Sequence, residues 1–187
     1  ELLSETRVST TNRGNSNRVN REETAEANTD KEAGESNDSS SNSSNNSSTS
    51  SSAKANEIVS YAKQFLGVPY VYGGASLSGF DCSGFTMYVY DKFGIEMSHG
   101  AQAQSRLGKK VSADKSSKES LLNNLEVGDL VFFLDYETMD EIGHCGIYIG
   151  DGNFIHASSG SGYCVKINSL LPGEYYNTRY CAARRVL

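Results

Sequence analysis

The sequence predicts a fold that combines α-helices with β-strands, and the order of the patterns along the chain carries this prediction. Apolar residues recur at helical spacing in residues 55–66 and again after Cys82. Residues 143–157 then contain two runs rich in Ile, Tyr and Phe around an Asp-Gly turn, as in a β-hairpin. Two further strand-like runs follow at 162–167 and 179–186. We therefore expect helices first and strands after them.

The first part of the chain has the composition of a disordered linker. Residues 1–54 are polar and rich in Ser and Asn, with almost no aliphatic or aromatic side chains. Such a segment cannot bury enough apolar surface to offset the entropy lost on ordering. We expect residues 1–54 to form a disordered linker and residues 55–187 to form one compact domain. The first helix of that domain is predicted over residues 55–66, stopped by Gly67.

Cys82 is the strongest candidate for chemistry in this sequence. It lies where a turn opens into a helical pattern that ends near Gly94. Asp81 or Ser83 could cap this helix, and either choice places the sulfur among unpaired backbone N–H groups at the positive end of the helix dipole. Such surroundings lower the pKa of a thiol and favour the nucleophilic thiolate. Taken alone, Cys82 could equally be a small buried hydrophobic residue.

The predicted hairpin carries two histidines, and the length of its loop decides whether they can cooperate. A two-residue loop at Asp151-Gly152 would place His144 and His156 on opposite faces of the sheet. A three-residue loop that includes Gly150 shifts the register by one residue and places both on one face. We expect the three-residue loop. His144 would then act as the base that takes the thiol proton, and His156 would orient that base.

Five stretches of the chain, in the same order, resemble the NlpC/P60 cell-wall peptidases, and together they cover nearly everything from residue 55 to the end. The resemblance implies a papain-like α+β fold in which N-terminal helices pack on a central antiparallel β-sheet. It also identifies residues 55–187 as the catalytic domain. The stretches are Gly-Val-Pro-Tyr-Val-Tyr-Gly-Gly at 67–74, Asp-Cys-Ser-Gly-Phe at 81–85, Val-Gly-Asp-Leu-Val-Phe-Phe at 127–133, His-Cys-Gly-Ile-Tyr-Ile-Gly at 144–150 and Phe-Ile-His-Ala-Ser at 154–158.

The resemblance implies an activity and assigns residues to it. NlpC/P60 enzymes hydrolyse peptide bonds in peptidoglycan stems, most often between γ-D-glutamate and a diamino acid, diaminopimelate or lysine, through a thioester. By position, Cys82 matches the nucleophile, His144 the base and His156 the orienting residue. Tyr70 matches the tyrosine whose hydroxyl helps to stabilise the oxyanion beside the Cys82 backbone N–H.

Four further residues near these positions have expected roles, some from the same resemblance and some from the sequence pattern. Asp81 and Ser83 match substrate-binding residues that hold the free amine of the stem's L-alanine. The residue after the base is usually aliphatic, but here it is Cys145, which we expect on the other face of the strand in a packing role. His99 follows a segment that borders the active site in the family. We expect an exposed polar residue there, with a place in the groove as the alternative.

No cofactor is required by this chemistry, because nucleophile, base, orienting group and oxyanion donors are all present. A zinc site built from the cysteines and histidines is disfavoured, since the chain lacks paired metal-ligand motifs. The net charge of -6 is shared equally between residues 1–54 and 55–187 and does not indicate a nucleic-acid partner. No apolar run is long enough to predict insertion into a membrane.

Peptidoglycan stem peptides are therefore the expected partners, and we expect a monomer. The resemblance implies a bacterial protein that is secreted or associated with the cell wall. The chain begins within polar sequence, so we expect a fragment whose parent could carry a wall-binding module or a second hydrolase upstream. With Cys82 free, one disulfide at most could form among Cys145, Cys164 and Cys181. Whether Cys164 and Cys181 pair stays open.

Two other functions remain alternatives. The first is an amidase or acyltransferase of the same fold that acts on another amide or ester. The second is a non-catalytic wall-binding module with a relic site. A relic would be expected to have lost a catalytic residue, whereas this chain keeps Cys82, His144 and His156. We favour the cysteine peptidase.

Overall fold

The computed structural model describes residues 45–187, and the side chains from residue 49 onward. These residues form helices and a six-stranded antiparallel sheet, which confirms the predicted α+β class. None of the helices in this part of the chain is long and apolar enough to cross a membrane. The helices are α1 (Asn45–Lys63), α2 (Cys82–Asp91), α3 (Ala101–Gln104) and α4 (Lys118–Asn124).

A small ribbon and one large sheet contain the strands. The ribbon pairs β1 (Ala75–Ser76) with β2 (Gly79–Phe80) just before α2. The large sheet has the order β3-β8-β4-β5-β6-β7, and each strand is antiparallel to its neighbours. Its strands are β3 (Lys109–Val111), β4 (Leu130–Leu134), β5 (Ile142–Gly150), β6 (Asn153–Ser158), β7 (Cys164–Ser169) and β8 (Tyr180–Arg185).

Both faces of the large sheet are covered, so its central strand is apolar throughout. In β4, Leu130 and Phe132 pack against α1 and α2, whereas Val131 and Phe133 pack on the opposite side. All four are fully buried, as alternation along a strand between two covered faces requires. Helix α4 and residues 170–180 cover the second face. The N-terminal helices pack on the sheet as predicted, and the second layer was not predicted.

Helix α1 begins at Asn45 and not at Ala55, so its first turns lie within the predicted linker of residues 1–54. The predicted apolar face is buried from Ala55 onward, with Ile58 fully inaccessible to solvent. Once such a face has nucleated a helix, each added residue gains a hydrogen bond at little further cost, even in Ser- and Asn-rich sequence. Residues 1–44 lie outside the described residues, and their role as a linker stays a prediction.

The β5–β6 hairpin places its two histidines on one face, as predicted, but by a different turn. Gly150 pairs with Asn153 around a two-residue loop, Asp151-Gly152. Both loop residues have positive φ, at 53° and 74°, which is typical of the type I′ turn. The register shifts between Tyr148 and Gly150, so the extra residue is a bulge in the strand and not part of the loop. The prediction of a three-residue loop was therefore wrong, although the predicted register of the two strands was right.

All four cysteines lie within residues 45–187, and all are free thiols. Cys164 lies on β7 and Cys181 on β8, and three strands of the sheet separate them. Adjacent strands are about 4.8 Å apart, so these residues are separated by roughly 19 Å across the sheet. This pair, whose pairing the sequence left open, forms no disulfide.

Candidate active site

Cys82 is the first residue of α2, and its surroundings follow from the sequence around it. Asp81 is the N-cap: its Oδ1 accepts a hydrogen bond from the Gly84 N–H at 2.7 Å. A Cβ atom on Gly84 would lie 2.0 Å from the Gly74 carbonyl oxygen, so only glycine lets the helix start against this loop. The Cys82 N–H belongs to the first turn and has no acceptor within the helix. It is available to a bound oxyanion.

The pKa of the Cys82 thiol is lowered well below its usual value. The largest cause is a hydrogen bond with Cys145, and the charge and hydrogen bond of His144 lower it further against the opposing effect of burial. Cys145 is fully buried in the core against α2. Burial and the contact with Cys82 raise the pKa of Cys145. Of these two thiols, Cys82 is therefore the one that ionises more readily.

His144 and His156 are in direct contact. The distance from His144 Nε2 to His156 Nδ1 is 2.8 Å, and the rings are nearly perpendicular with centroids 4.9 Å apart. Burial, followed by the nearby His144, lowers the pKa of His156 well below its usual value, so His156 is neutral. Aromatic rings hold both imidazoles: Phe154 stacks on His156, and Tyr176 stacks on His144.

Asn168 on β7 sets the direction of the hydrogen bonds that join it to His156 and His156 to His144. Its Oδ1 lies 2.9 Å from His156 Nε2, and an amide oxygen only accepts, so His156 Nε2 carries the hydrogen. A neutral imidazole then accepts at Nδ1, which makes His144 Nε2 the donor between the two rings. His144 Nδ1 is left with a lone pair. That nitrogen can take the proton of the Cys82 thiol.

Sequence reasoning missed Asn168. Its only signal was a polar side chain beside apolar positions in a strand-like run. The register of β6 and β7 places Asn168 opposite Phe154 and Lys166 opposite His156. That register depends on the loop between the two strands, whose conformation no pattern in the sequence predicted.

Tyr70 lies beside Cys82 on an extended segment. Its N–H donates to the Tyr163 carbonyl at 2.8 Å, which ties this segment to the loop before β7. Burial and then the charges of Cys82 and Asp81 raise the pKa of Tyr70 to about 12. The hydroxyl is therefore protonated at neutral pH and can donate a hydrogen bond to a developing oxyanion.

Asp81 and Ser83 belong to one hydrogen-bonded group in which His99 also takes part. Ser83 Oγ donates to Asp81 Oδ1 at 3.1 Å, and the Gly73 N–H donates to Asp81 Oδ2 at 2.9 Å. His99 Nε2 lies 2.9 Å and 2.8 Å from the two carboxylate oxygens. His99 is exposed, as expected, and it also borders the groove, which was the alternative.

Two cavities meet at Cys82, and both are also bordered by Tyr70 and Gly143. One has a volume of about 680 Å³, and the other about 380 Å³. A cleft that continues past a nucleophile on two sides can hold an extended chain across it. Among residues 45–187, no group of three or more His, Cys, Asp or Glu side chains is placed to hold a metal ion. The larger cavity is lined by His144, Asn168, Tyr176, Tyr136, Tyr163, Tyr175, Lys166 and Arg179, and the smaller by Tyr72, Asp81, Ser83 and His99.

The chain is similar to proteins of known activity and known structure. A model of the NlpC/P60 family matches residues 67–185. A γ-D-glutamyl-L-lysine dipeptidyl-peptidase of Bacillus cereus is 38% identical over 133 residues, which are 71% of this chain and 37% of that protein. The murein DD-endopeptidase MepS/murein LD-carboxypeptidase of Escherichia coli is 37% identical over 133 residues, which are 71% of this chain and 63% of that protein.

A solved structure supports the same relationship. The crystal structure of the NlpC/p60 domain of the peptidoglycan hydrolase SagA superposes with a TM-score of 0.56 at 32% identity. The match covers 70% of this chain and 97% of that one. The match to each of the two named relatives covers less than two-thirds of that relative's own length.

Proposed function

Because this chain belongs to the NlpC/P60 family, we propose that it is a cysteine peptidase that hydrolyses the stem peptides of peptidoglycan. The proposed bond joins γ-D-glutamate to the diamino acid, diaminopimelate or lysine. One observation carries the proposal: Cys82, His144 and His156 interact in that order. The pKa of the Cys82 thiol is lowered, and the His156 imidazole that contacts His144 is neutral. The name of the Bacillus cereus relative specifies the γ-D-glutamyl-L-lysine bond.

In the first half of the proposed reaction, the Cys82 sulfur attacks the carbonyl carbon of the scissile amide. The thiol proton passes to His144 Nδ1, and the neutral His156 accepts from the opposite nitrogen of that ring. The oxyanion accepts hydrogen bonds from the Cys82 N–H and the Tyr70 hydroxyl. His144 then gives its proton to the leaving amine, the C–N bond breaks, and a thioester remains on Cys82.

The second half returns the enzyme to its starting state. His144 takes a proton from water, and the resulting hydroxide attacks the thioester carbonyl at the same oxyanion site. The C–S bond breaks, His144 returns the proton to the Cys82 sulfur, and a product that ends in D-glutamate is released. The amine-binding role that the resemblance implies for Asp81 and Ser83 stays a prediction.

We also propose that the protein acts at the bacterial cell wall, either secreted or wall-associated, and as a monomer. The names of the Escherichia coli relative and of the SagA hydrolase support this setting, because murein and peptidoglycan lie outside the cytoplasm. An upstream wall-binding or second hydrolase domain is part of the same proposal, and the match to the Bacillus cereus relative, which covers only 37% of that protein, is compatible with it.

A different bond is the second candidate, and one observation favours it. The name of the Escherichia coli relative specifies DD-endopeptidase and LD-carboxypeptidase activities. These bonds lie further along the stem than the γ-D-glutamyl bond. The same nucleophile and base would serve either reaction, so the bond depends on which part of the stem each cavity holds.

Mass spectrometry of stem-peptide fragments tests the proposal. Defined stems that contain diaminopimelate or lysine are incubated with the full chain and with Cys82→Ala. We expect products that end in D-glutamate with the full chain and none with the variant, since the variant lacks the attacking sulfur. Cys164→Ala is the matched control, because that cysteine lies on β7 outside both cavities.

Other outcomes would redirect or reject the proposal. Products that end in the diamino acid or in D-alanine would assign the bond suggested by the Escherichia coli relative. Cleavage that survives in Cys82→Ala would reject the mechanism. Failure to cleave any stem would favour the alternative functions, an amidase or acyltransferase with another substrate or a non-catalytic wall-binding module.

A further inference from the structure

The carboxylate of Asp81 has no acceptor position left for a substrate. Four donors reach it: the N–H groups of Gly73 and Gly84, the Ser83 hydroxyl and His99 Nε2. An ionised carboxylate offers about four lone-pair positions. Asp81 is also only 8% exposed. Its hydrogen bonds hold the start of α2 and the neighbouring loop together.

His99 is the replaceable member of this group. The two backbone donors are fixed by the turn and by the cap of α2, and Ser83 is only 5% exposed. The His99 side chain is 33% exposed and borders the smaller cavity together with Asp81. A ligand that enters this cavity therefore meets the imidazole at the position from which Asp81 could otherwise be reached.

A free amino terminus would have to compete with His99 for Asp81. An ammonium group carries three donors and no acceptor, so its recognition depends on lone pairs that are open to it. Reaching the carboxylate would require breaking both contacts from His99 Nε2. The Ser83 proton is already donated to Asp81, which leaves only the hydroxyl lone pairs on that side chain.

We infer that His99 determines the specificity of the smaller cavity by occupying Asp81, so that the enzyme accepts stem peptides whose alanine amine is acylated. This inference rests on the proposed function and is the alternative to the amine-binding role implied for Asp81. An acylated nitrogen is neutral and needs no carboxylate partner. Tyr72, which is 91% exposed at the same cavity, offers an aromatic face to the acyl group. The ligand class is thus a stem still joined through an amide to the rest of the wall polymer.

Two matched peptides test this specificity. Both contain L-alanine, γ-D-glutamate and a diamino acid, and they differ only in whether the alanine amine is free or acetylated. With the full chain, we expect kcat/KM for the acetylated peptide to equal or exceed that for the free one. His99→Ala opens an acceptor on Asp81, so it should raise the free-to-acetylated ratio about tenfold.

Gln102→Ala is the matched control, because Gln102 borders the same cavity and the change removes none of the four donors to Asp81. It should leave the ratio of the two kcat/KM values at the wild-type level. The inference is overturned if the full chain prefers the free amine tenfold and His99→Ala reduces that preference. An unchanged ratio in His99→Ala overturns it as well.

Binding without turnover separates this inference from the proposed function. Calorimetric titration of Cys82→Ala and of the Cys82→Ala/His99→Ala double variant with both peptides gives the ratio of the two Kd values. If no enzyme form cleaves either peptide, the proposed function fails, while the Kd ratio still decides the role of His99. A double variant that gains no affinity for the free amine would reject that role.

Discussion

At the scale of single residues, Asn168 controls which ring nitrogen of His144 is free. Asn168→Ala leaves His156 Nε2–H without an acceptor in a fully buried site, so the imidazoles lose their fixed direction. We expect kcat/KM to fall by about 10- to 100-fold. Asn168→Asp keeps an acceptor-only atom and should retain most of the activity. Steady-state kinetics on a soluble stem peptide measures both effects.

Asn168→Leu provides the control for this prediction, because it fills similar space without an acceptor. A packing role alone would make the Leu and Asp variants equally active. Our assignment requires the kcat/KM of Asn168→Leu to be as low as that of Asn168→Ala. Asn153→Ala, which changes an asparagine at the start of β6, should leave the pH profile of kcat/KM unaltered.

Cys145 lowers the pKa of Cys82, and its removal should be visible in the pH dependence of alkylation. A lowered pKa keeps the thiolate present at acidities where an ordinary thiol, with a pKa of about 8.5, is protonated. In Cys145→Val the pKa of Cys82 should rise, because the largest lowering cause is gone and His144 alone opposes burial. The rate of iodoacetamide incorporation at Cys82, followed by peptide mass spectrometry from acidic to alkaline pH, measures the midpoint.

Cys181 supplies an internal reference in the same experiment. It is exposed at the surface, yet burial of its sulfur raises its pKa, so it should react only at higher pH than Cys82. Equal midpoints for Cys82 in the wild type and in Cys145→Val would show that the buried thiol does not act on the nucleophile.

At the scale of elements, the turn of the β5–β6 hairpin depends on a glycine whose contribution to stability can be measured. Gly152 has φ 74°, and a Cβ atom there would lie 2.4 Å from the Leu171 side chain. Gly173 has φ 92° with open space around it. Gly173→Ala should cost about 1 kcal/mol from backbone strain, and Gly152→Ala about 2–3 kcal/mol because steric overlap is added. Urea unfolding measures the free energy of unfolding of each variant.

The comparison of these two variants isolates the overlap with Leu171. If Gly152→Ala and Gly173→Ala lost the same free energy of unfolding, the Leu171 side chain would be able to move aside without cost. A shorter side chain at that position, as in Leu171→Ala, should then reduce the extra cost of Gly152→Ala, since the overlapping atoms are gone. A double-mutant cycle gives this coupling directly.

The hairpin also shows what the sequence could and could not predict at this scale. The alternation of the two strands and the need for cooperating histidines indicated the correct register. The same residues allowed two ways to add one residue, in the loop or as a bulge. The bulge formed because positive φ at both Asp151 and Gly152 builds a type I′ turn, whose twist matches that of the strands.

At the scale of the whole molecule, the order of elements and the position of Cys82 at a helix start were predictable, because they depend on local patterns. Contacts between distant segments were not. Gln104 of α3 accepts a hydrogen bond from Thr86 and contacts Cys145 beneath the nucleophile. The second layer over the sheet and the contact of His99 with Asp81 likewise arise only from tertiary packing. The linker assigned to residues 1–54 was too long, since α1 already begins at Asn45.

The two core clusters on opposite faces of the sheet have a consequence for the newly made chain. Cys82 and Cys145 belong to the cluster under α2, whereas His144 and His156 contact aromatic side chains of the cluster on the other face. The thiol thus acquires its reactivity only when both faces have assembled, and before that Cys82 is chemically indistinguishable from any other cysteine. The fraction of chains that is rapidly alkylated at Cys82 at neutral pH consequently equals the fraction of folded molecules. A single labelling step therefore measures both the yield of refolding and the concentration of active enzyme.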